Sequence, residues 1–136
     1  MYEHFEHTAD LGLRIRAARL DALFAEAAHA LTAAIVAQPD SIEPVERQTI
    51  ELESAERDDL LHDWLAEILY LFEAERMLFG RFEVSLSSHG LRATAWGEKL
   101  DFRRHEIKLE IKAVTYHRLK VESTSEGWLA EVVLDL

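Results

Sequence analysis

Two carboxylates near opposite ends of the chain, Asp10 and Asp135, are the side chains whose setting points most directly to chemistry. Asp10 closes the tetrapeptide His7-Thr8-Ala9-Asp10 and precedes Leu11-Gly12-Leu13, so it stands at the mouth of a strand and not inside a hydrophobic alternation. Asp135 follows the apolar run Val132-Val133-Leu134, and the terminal carboxylate of Leu136 adds a second negative group one residue on. Were the two ends to meet, three carboxylates would converge. Such a cluster repels itself unless it is protonated or holds a cation, and oxygen ligands of this kind suit Ca²⁺, Mg²⁺ or Mn²⁺ better than Zn²⁺. Read separately, Asp10 equally fits a structural turn and Asp135-Leu136 a solvated tail. A third set is Lys112, Tyr116 and His117, which bring an ammonium, a phenol and an imidazole within six residues. In a single strand Lys112 and Tyr116 would share a face, with His117 on the other. An exposed Lys beside a satisfied His fits these residues as well as catalysis does.

The elements that must position these groups follow from periodicity. Leu11, Leu13, Ile15 and Ala17 alternate with Gly12, Arg14 and Arg16, the pattern of a half-buried strand. Leu20, Leu23, Phe24, Ala27, Ala28, Leu31 and Ile35 recur at helical spacing and predict a helix over 20–36, ended by Gln38-Pro39-Asp40-Ser41. Ile50 and Leu52 read as a second strand. A longer helix is predicted over 58–79, with Trp64, Leu65, Ile68 and Phe72 on its buried face and Gly80 as the residue that ends it. From Arg81 the period is two: a hairpin turns at Ser87-Ser88-His89-Gly90, and further strands are expected at 107–111, 114–121 and 128–134. The expected architecture is a single α+β domain over 1–136, two main helices packed on one face of a mostly antiparallel or mixed sheet.

Composition narrows the function. The chain has 136 residues, no Cys and a formal charge of −11, which excludes thiol chemistry and thiolate metal sites and disfavours binding to phosphate backbones. The charge is uneven: residues 99–120 hold seven bases against three acids, a local surplus that could meet an acidic or phosphate-bearing partner or simply face solvent. No apolar run approaches the ~20 residues of a membrane helix, and Met1–His7 lacks the basic and apolar regions of a secretory signal. A cytoplasmic protein is expected. No Gly-rich phosphate loop, His-Glu-x-x-His or Gly-x-Ser-x-Gly motif is present.

Taken in order, four segments resemble the archease family: His7-Thr8-Ala9-Asp10-Leu11-Gly12, Leu60–Phe72 with Asp63-Trp64-Leu65, Lys112-Ala113-Val114-Thr115-Tyr116-His117, and the terminal Asp135-Leu136. Gly97-Glu98-Lys99-Leu100-Asp101 and His105 also resemble the family's polar loop. The likeness runs nearly end to end. It implies an accessory protein of the RtcB-type RNA ligase in tRNA splicing and RNA repair, one that promotes guanylylation of the ligase and multiple turnover without joining RNA itself. It further implies that Asp10, Asp135 and the terminal carboxylate of Leu136 bind a divalent metal such as calcium, with Lys112 and His117 on a nearby polar surface. RNA would then be met only indirectly or weakly. The competing functions are a metal-dependent phosphodiester hydrolase that uses His7 or His117 as base, and a chaperone-like modulator.

Overall fold

The computed structural model describes residues 1–7 and 10–136, with Glu6 and His7 described through their backbone alone. Strand β1 (Tyr2–His7) pairs antiparallel with β2 (Asp10–Ala17), and β2 pairs antiparallel with the last strand, β8 (Gly127–Asp135). The far edge of β8 carries two short strands, β6 (Ala113–Val114) toward its end and β7 (Lys120–Thr124) toward its start. A second sheet has the order β3 (Glu46–Glu53), β5 (Gly90–Lys99), β4 (Met77–Ser87), again antiparallel. The α+β class and antiparallel pairing agree with the sequence, and the strands divide between two sheets.

The two helices are shared by those sheets. Helix α1 (Leu20–Ile35) touches β1, β2 and β8 on one side and β4 on the other, and α2 (Arg57–Glu75) touches β6 and β7 as well as all three strands of the second sheet. Ten of the 16 residues of α1 are buried, among them Ala27, Ala28, Ala30, Ala33 and Ala34, so this helix is apolar nearly all round. Small residues let both sheets approach it closely, and burial on every side is what such a pattern demands. Trp64 of α2 is fully buried and its indole N–H donates to the Phe24 carbonyl of α1 at 2.9 Å, which fixes one helix against the other.

Five expectations are corrected. Helix α2 stops at Glu75, because Arg76 takes a left-handed conformation (φ 57°) and its N–H returns to Phe72 O. Gly80 therefore ends no helix; it sits within β4 beside the bulge between Phe79 and Arg81. Residues 107–111 keep their alternation but form no strand: Lys108 N–H donates to Ile35 O and Ala37 N–H to Glu106 O, so this segment is tied to the end of α1, with one isolated bridge at Val36–Ile107. The stretch 114–121 is broken by a turn with Arg118 at φ 55°, which separates β6 from β7. Phe72 is half-buried, whereas Trp64, Leu65 and Ile68 lie in the core as expected and Leu71 joins them. Strand β1 goes unread in the sequence because His4 breaks its apolar pattern; in the fold, His4 Nε2 lies 3.2 Å from the Ala30 carbonyl of α1.

Trp64→Ala should cost about 3–5 kcal/mol in urea unfolding, the range for a fully buried aromatic. Phe72→Ala should cost about 1–2 kcal/mol, in keeping with partial burial. Equal losses would show that the two rings share the same environment.

Candidate metal centre

The register of β2 against β8 decides where the two carboxylates lie. Leu11 opposes Leu134, Leu13 opposes Val132 and Ile15 opposes Ala130, and all six side chains are buried against the helices. Side chains alternate, so the residues between them face the other way. There Asp10 stands directly opposite Asp135, with Gly12 opposite Val133 and Arg14 opposite Glu131. Directly opposed residues on one face carry their Cβ atoms about 5 Å apart. The chain's two ends therefore bring Asp10 and Asp135 together on the sheet face away from the helices.

The surroundings of this pair are defined on three sides. Phe5 of β1 opposes Gly12, and a Cβ on Gly12 would come within 2.2 Å of the Phe5 ring. Only glycine lets that ring lie flat on the sheet beside the carboxylates. Arg14 lies over the Phe5 ring, 4.7 Å from its centroid, and bridges Glu131 (3.0 Å) and Glu3 (3.1 Å). Those two bonds raise its pKa above the ordinary guanidinium value. Arg14 is four residues from Asp10, about 13 Å along the strand, and its charge is already committed. On the other edge, the Lys112 N–H donates to the Asp135 carbonyl at 2.8 Å and Ala113 opposes Asp135.

This arrangement suits an oxygen-seeking cation. Like charges placed directly opposite on a sheet are destabilising by themselves, and protonation or a bound hard ion would relieve them. Among the described residues no three His, Asp or Glu side chains gather to hold a metal ion. Asp10 and Asp135 thus offer two ligands, and at least one further oxygen donor is needed. The sequence nominates the terminal carboxylate of Leu136 for that place. Thr8 and Ala9, between His7 and Asp10, lie outside the described residues, as does the His7 side chain.

Lys112, Tyr116 and His117 do not share a strand, so the parity expected of them does not apply. Lys112 is exposed just before β6. Past β6, Thr115 Oγ1 donates to Val133 O at 2.9 Å and accepts the His117 N–H at 3.2 Å, which curls the chain into a turn. The Tyr116 ring stacks on His62 of α2, with centroids 3.9 Å apart and planes 14° apart. His62 also lies 2.9 Å from Val114 O through Nε2 and 3.2 Å from Asp63 through Nδ1. The sequence gives no sign of that role, because His62 looks like one more polar residue on an amphipathic helix.

The polar loop after β5 is a second built feature. Its buried carboxylate, Glu98, accepts the Glu43 N–H at 2.8 Å, a guanidinium N–H of Arg104, and His105 Nε2 at 3.1 Å. His105 Nδ1 accepts the Asp101 N–H at 3.0 Å, so the proton of this ring sits on Nε2 and points at Glu98. Burial alone would push the Glu98 carboxyl up; the hydrogen bonds from Glu43, Arg104 and His105 outweigh it and hold the group below the usual carboxylate range. Asp101 is held low in the same way, first by the Arg103 N–H and then by its guanidinium. Glu98, Asp101 and His105 thus hold the loop in shape, and none of them belongs to the Asp10–Asp135 pair.

With this geometry in view, comparison with known proteins is decisive. The family model for the Archease protein family matches residues 2–136. The chain belongs to the archease family. Protein archease of Methanopyrus kandleri is 43% identical over 139 residues, covering 99% of each chain, and that of Pyrococcus abyssi is 39% identical over 140 residues, covering 99% of this chain and 98% of its own. Among solved structures, a Methanobacterium thermoautotrophicum protein matches with a TM-score of 0.85 at 33% identity, covering 99% of this chain and 98% of its own. An archease from Thermotoga maritima, described as a possible chaperone, matches at a TM-score of 0.68 and 26% identity, covering 100% and 98%. The archease resemblance drawn from the motifs is borne out, together with the α+β fold.

Because the carboxyl of Glu98 is lower in the folded protein than in the unfolded chain, its contribution is present above the ordinary carboxylate pKa and is lost as pH falls through the folded value. Glu98→Gln should therefore lower stability at pH 7 and flatten the loss on acidification, as read by urea unfolding between pH 7 and pH 3. An unchanged acid profile would show that the Glu98 network carries no linkage.

Proposed function

We propose that this archease family member is an accessory protein of an RtcB-type RNA ligase, promoting guanylylation of the ligase and multiple turnover in tRNA splicing and RNA repair, and that it is not itself an enzyme. The observation that carries the reading is the direct opposition of Asp10 and Asp135 at the free end of the β2–β8 ladder. In this reading Asp10, Asp135 and the terminal carboxylate of Leu136 would hold one divalent cation, calcium, magnesium or manganese by their donor chemistry. When bound, such an ion would supply a fixed positive charge to which phosphate oxygens can bind. The side chains themselves position it, and Lys112, joined to Asp135 through the backbone, places an ammonium-bearing residue next to the pair.

The overall charge favours a protein partner over free RNA. A body with a formal charge of −11 is repelled by phosphate backbones but attracted to the basic surface that an RNA-handling enzyme presents. The name of the Thermotoga maritima relative, a possible chaperone, supports a second reading as a modulator of other macromolecules. The two differ in what they demand of the carboxylates: a general chaperone is indifferent to Asp10, whereas a ligase activator working through a metal is not.

The test is guanylylation of the cognate ligase by GTP and Mn²⁺, with and without this protein. Wild type should raise the number of turnovers. Asp10→Ala and Asp135→Ala should each reduce the stimulation about tenfold or more, since even outer partners of metal ligands act on that scale. Extending the chain past Leu136 should act likewise, by turning a charged carboxylate into a neutral amide carbonyl. An N-terminally tagged protein serves as control. Alone, the protein should neither cleave RNA nor hydrolyse nucleotides. Phosphodiester hydrolysis that disappears in Asp10→Ala would establish the hydrolase alternative in its place.

A further inference from the structure

Strand β6 is two residues long and lies at the edge of its sheet, paired with β8 alone. So short a ladder does not fix a strand by itself. Yet β6 flanks the carboxylate pair: Ala113 stands opposite Asp135, and the Lys112 N–H donates to the Asp135 carbonyl. Asp135 is thus held between β2 on one side and β6 on the other. Helix α2 secures β6 from outside the sheet. The Val114 carbonyl lies 2.9 Å from His62 Nε2, and because a carbonyl only accepts, that nitrogen carries a proton. The His62 side chain is only 15% exposed and Val114 is buried, so loss of the bond would leave a shielded carbonyl without a donor, which is costly. Asp63, 3.2 Å from Nδ1, and the stacked Tyr116 ring orient the imidazole. One helical turn earlier, Asp58 accepts the Val121 N–H of β7 at 3.0 Å. Helix α2 therefore grips the connection from β6 to β7 at two points. Only the His62 point lies beside Asp135, since Val121 pairs with Ala130.

We propose that His62 is a positioning residue of the Asp10–Asp135 site, acting through the Val114 carbonyl to hold Lys112 and Ala113 against Asp135. The proposal rests on the reading of that pair as a cation site, in which His62 is no ligand. Its effect passes along the strand: Val114 stands opposite Leu134, and the next pair is Ala113 with Asp135. With the bond from His62 gone, β6 is free to lift from β8, and the Asp135 carbonyl loses the Lys112 N–H. The Asp135 carboxylate then ranges over more positions. A cation binds less tightly to ligands that must first be ordered, which is why groups that orient a ligand without touching the ion still govern affinity. His62 is suited to this work because its ring is fixed on three sides before any ion arrives.

The experiment is a calorimetric titration of the full chain with Mn²⁺, comparing wild type with His62→Ala, His62→Gln and Asp58→Ala, alongside urea unfolding of each without metal. His62→Ala should weaken Mn²⁺ binding roughly tenfold, the scale on which outer partners of metal ligands act. His62→Gln, whose side-chain amide can donate to the Val114 carbonyl, should restore most of the affinity. Asp58→Ala removes a bond from the same helix face, but at β7, and should leave Mn²⁺ affinity at the wild-type value. Where His62→Ala does not fold, His62→Phe takes its place with the same expected weakening, since it keeps a ring against Tyr116 and lacks the donor. A His62→Ala protein that is less stable but binds Mn²⁺ as wild type does overturns the positioning role and leaves the cation site intact. Equal weakening in His62→Ala and Asp58→Ala overturns it as well, because general loosening of the connection would then suffice. So does a His62→Gln protein that recovers no affinity. A wild type that binds no Mn²⁺ overturns the cation site together with the role of His62.

Discussion

Antiparallel pairing of β2 with β8 ties residues 10–17 to residues 128–135, near the two ends of the chain, and its register governs nearly everything else. A slip of one residue would turn Leu11, Leu13 and Ile15 to solvent and bring Gly12, Arg14 and Arg16 against the helices. The apolar face therefore fixes the register, and that register places Asp10 opposite Asp135. The carboxylate pair is unfavourable by itself. It is held in place by burial on the opposite face of the same two strands, which is how a fold can impose an approach that two acids in solution would avoid.

From this constraint the rest of the site extends outward. Gly12 makes room for Phe5, Arg14 is locked between Glu3 and Glu131, and the Lys112–Val114 segment closes the far edge of β8. The turn that follows β6 is braced by His62 and Tyr116, so α2 reaches around to support the same end of the sheet. The Glu98–Arg104–His105 network is built by different means, from hydrogen bonds in place of apolar burial, and shapes a loop instead of a strand pair.

Much of this was legible in the sequence, and the failures have physical causes. The alternation at Leu11–Ala17 and the helical spacing at Leu20–Ile35 read correctly because one buried face dictates each pattern. Trp64 and Leu65 were legible for the same reason. Strand β1 was not, because His4 faces α1 and is satisfied by a carbonyl that no periodicity reveals. Residues 107–111 have strand alternation but bond to the end of α1, a tertiary choice that local pattern leaves open. Asp10 and Asp135 are legible as strand-end acids, but their proximity depends on which strands are neighbours, which a single sequence does not order. His62 and the buried pairing of Glu98 with His105 depend on contacts between separate elements and carry no local signal of their own.

The central claim is that Asp10 and Asp135 are brought together to hold a divalent cation, and thermal unfolding under titration with Mn²⁺ or Ca²⁺ tests it most directly. A ligand that binds only the folded state raises the midpoint as its concentration passes the dissociation constant. Wild type should show a saturable rise, and Asp10→Asn and Asp135→Asn should each lose it while still unfolding cooperatively. A wild-type midpoint indifferent to both ions, or a rise that survives in both variants, would contradict the account.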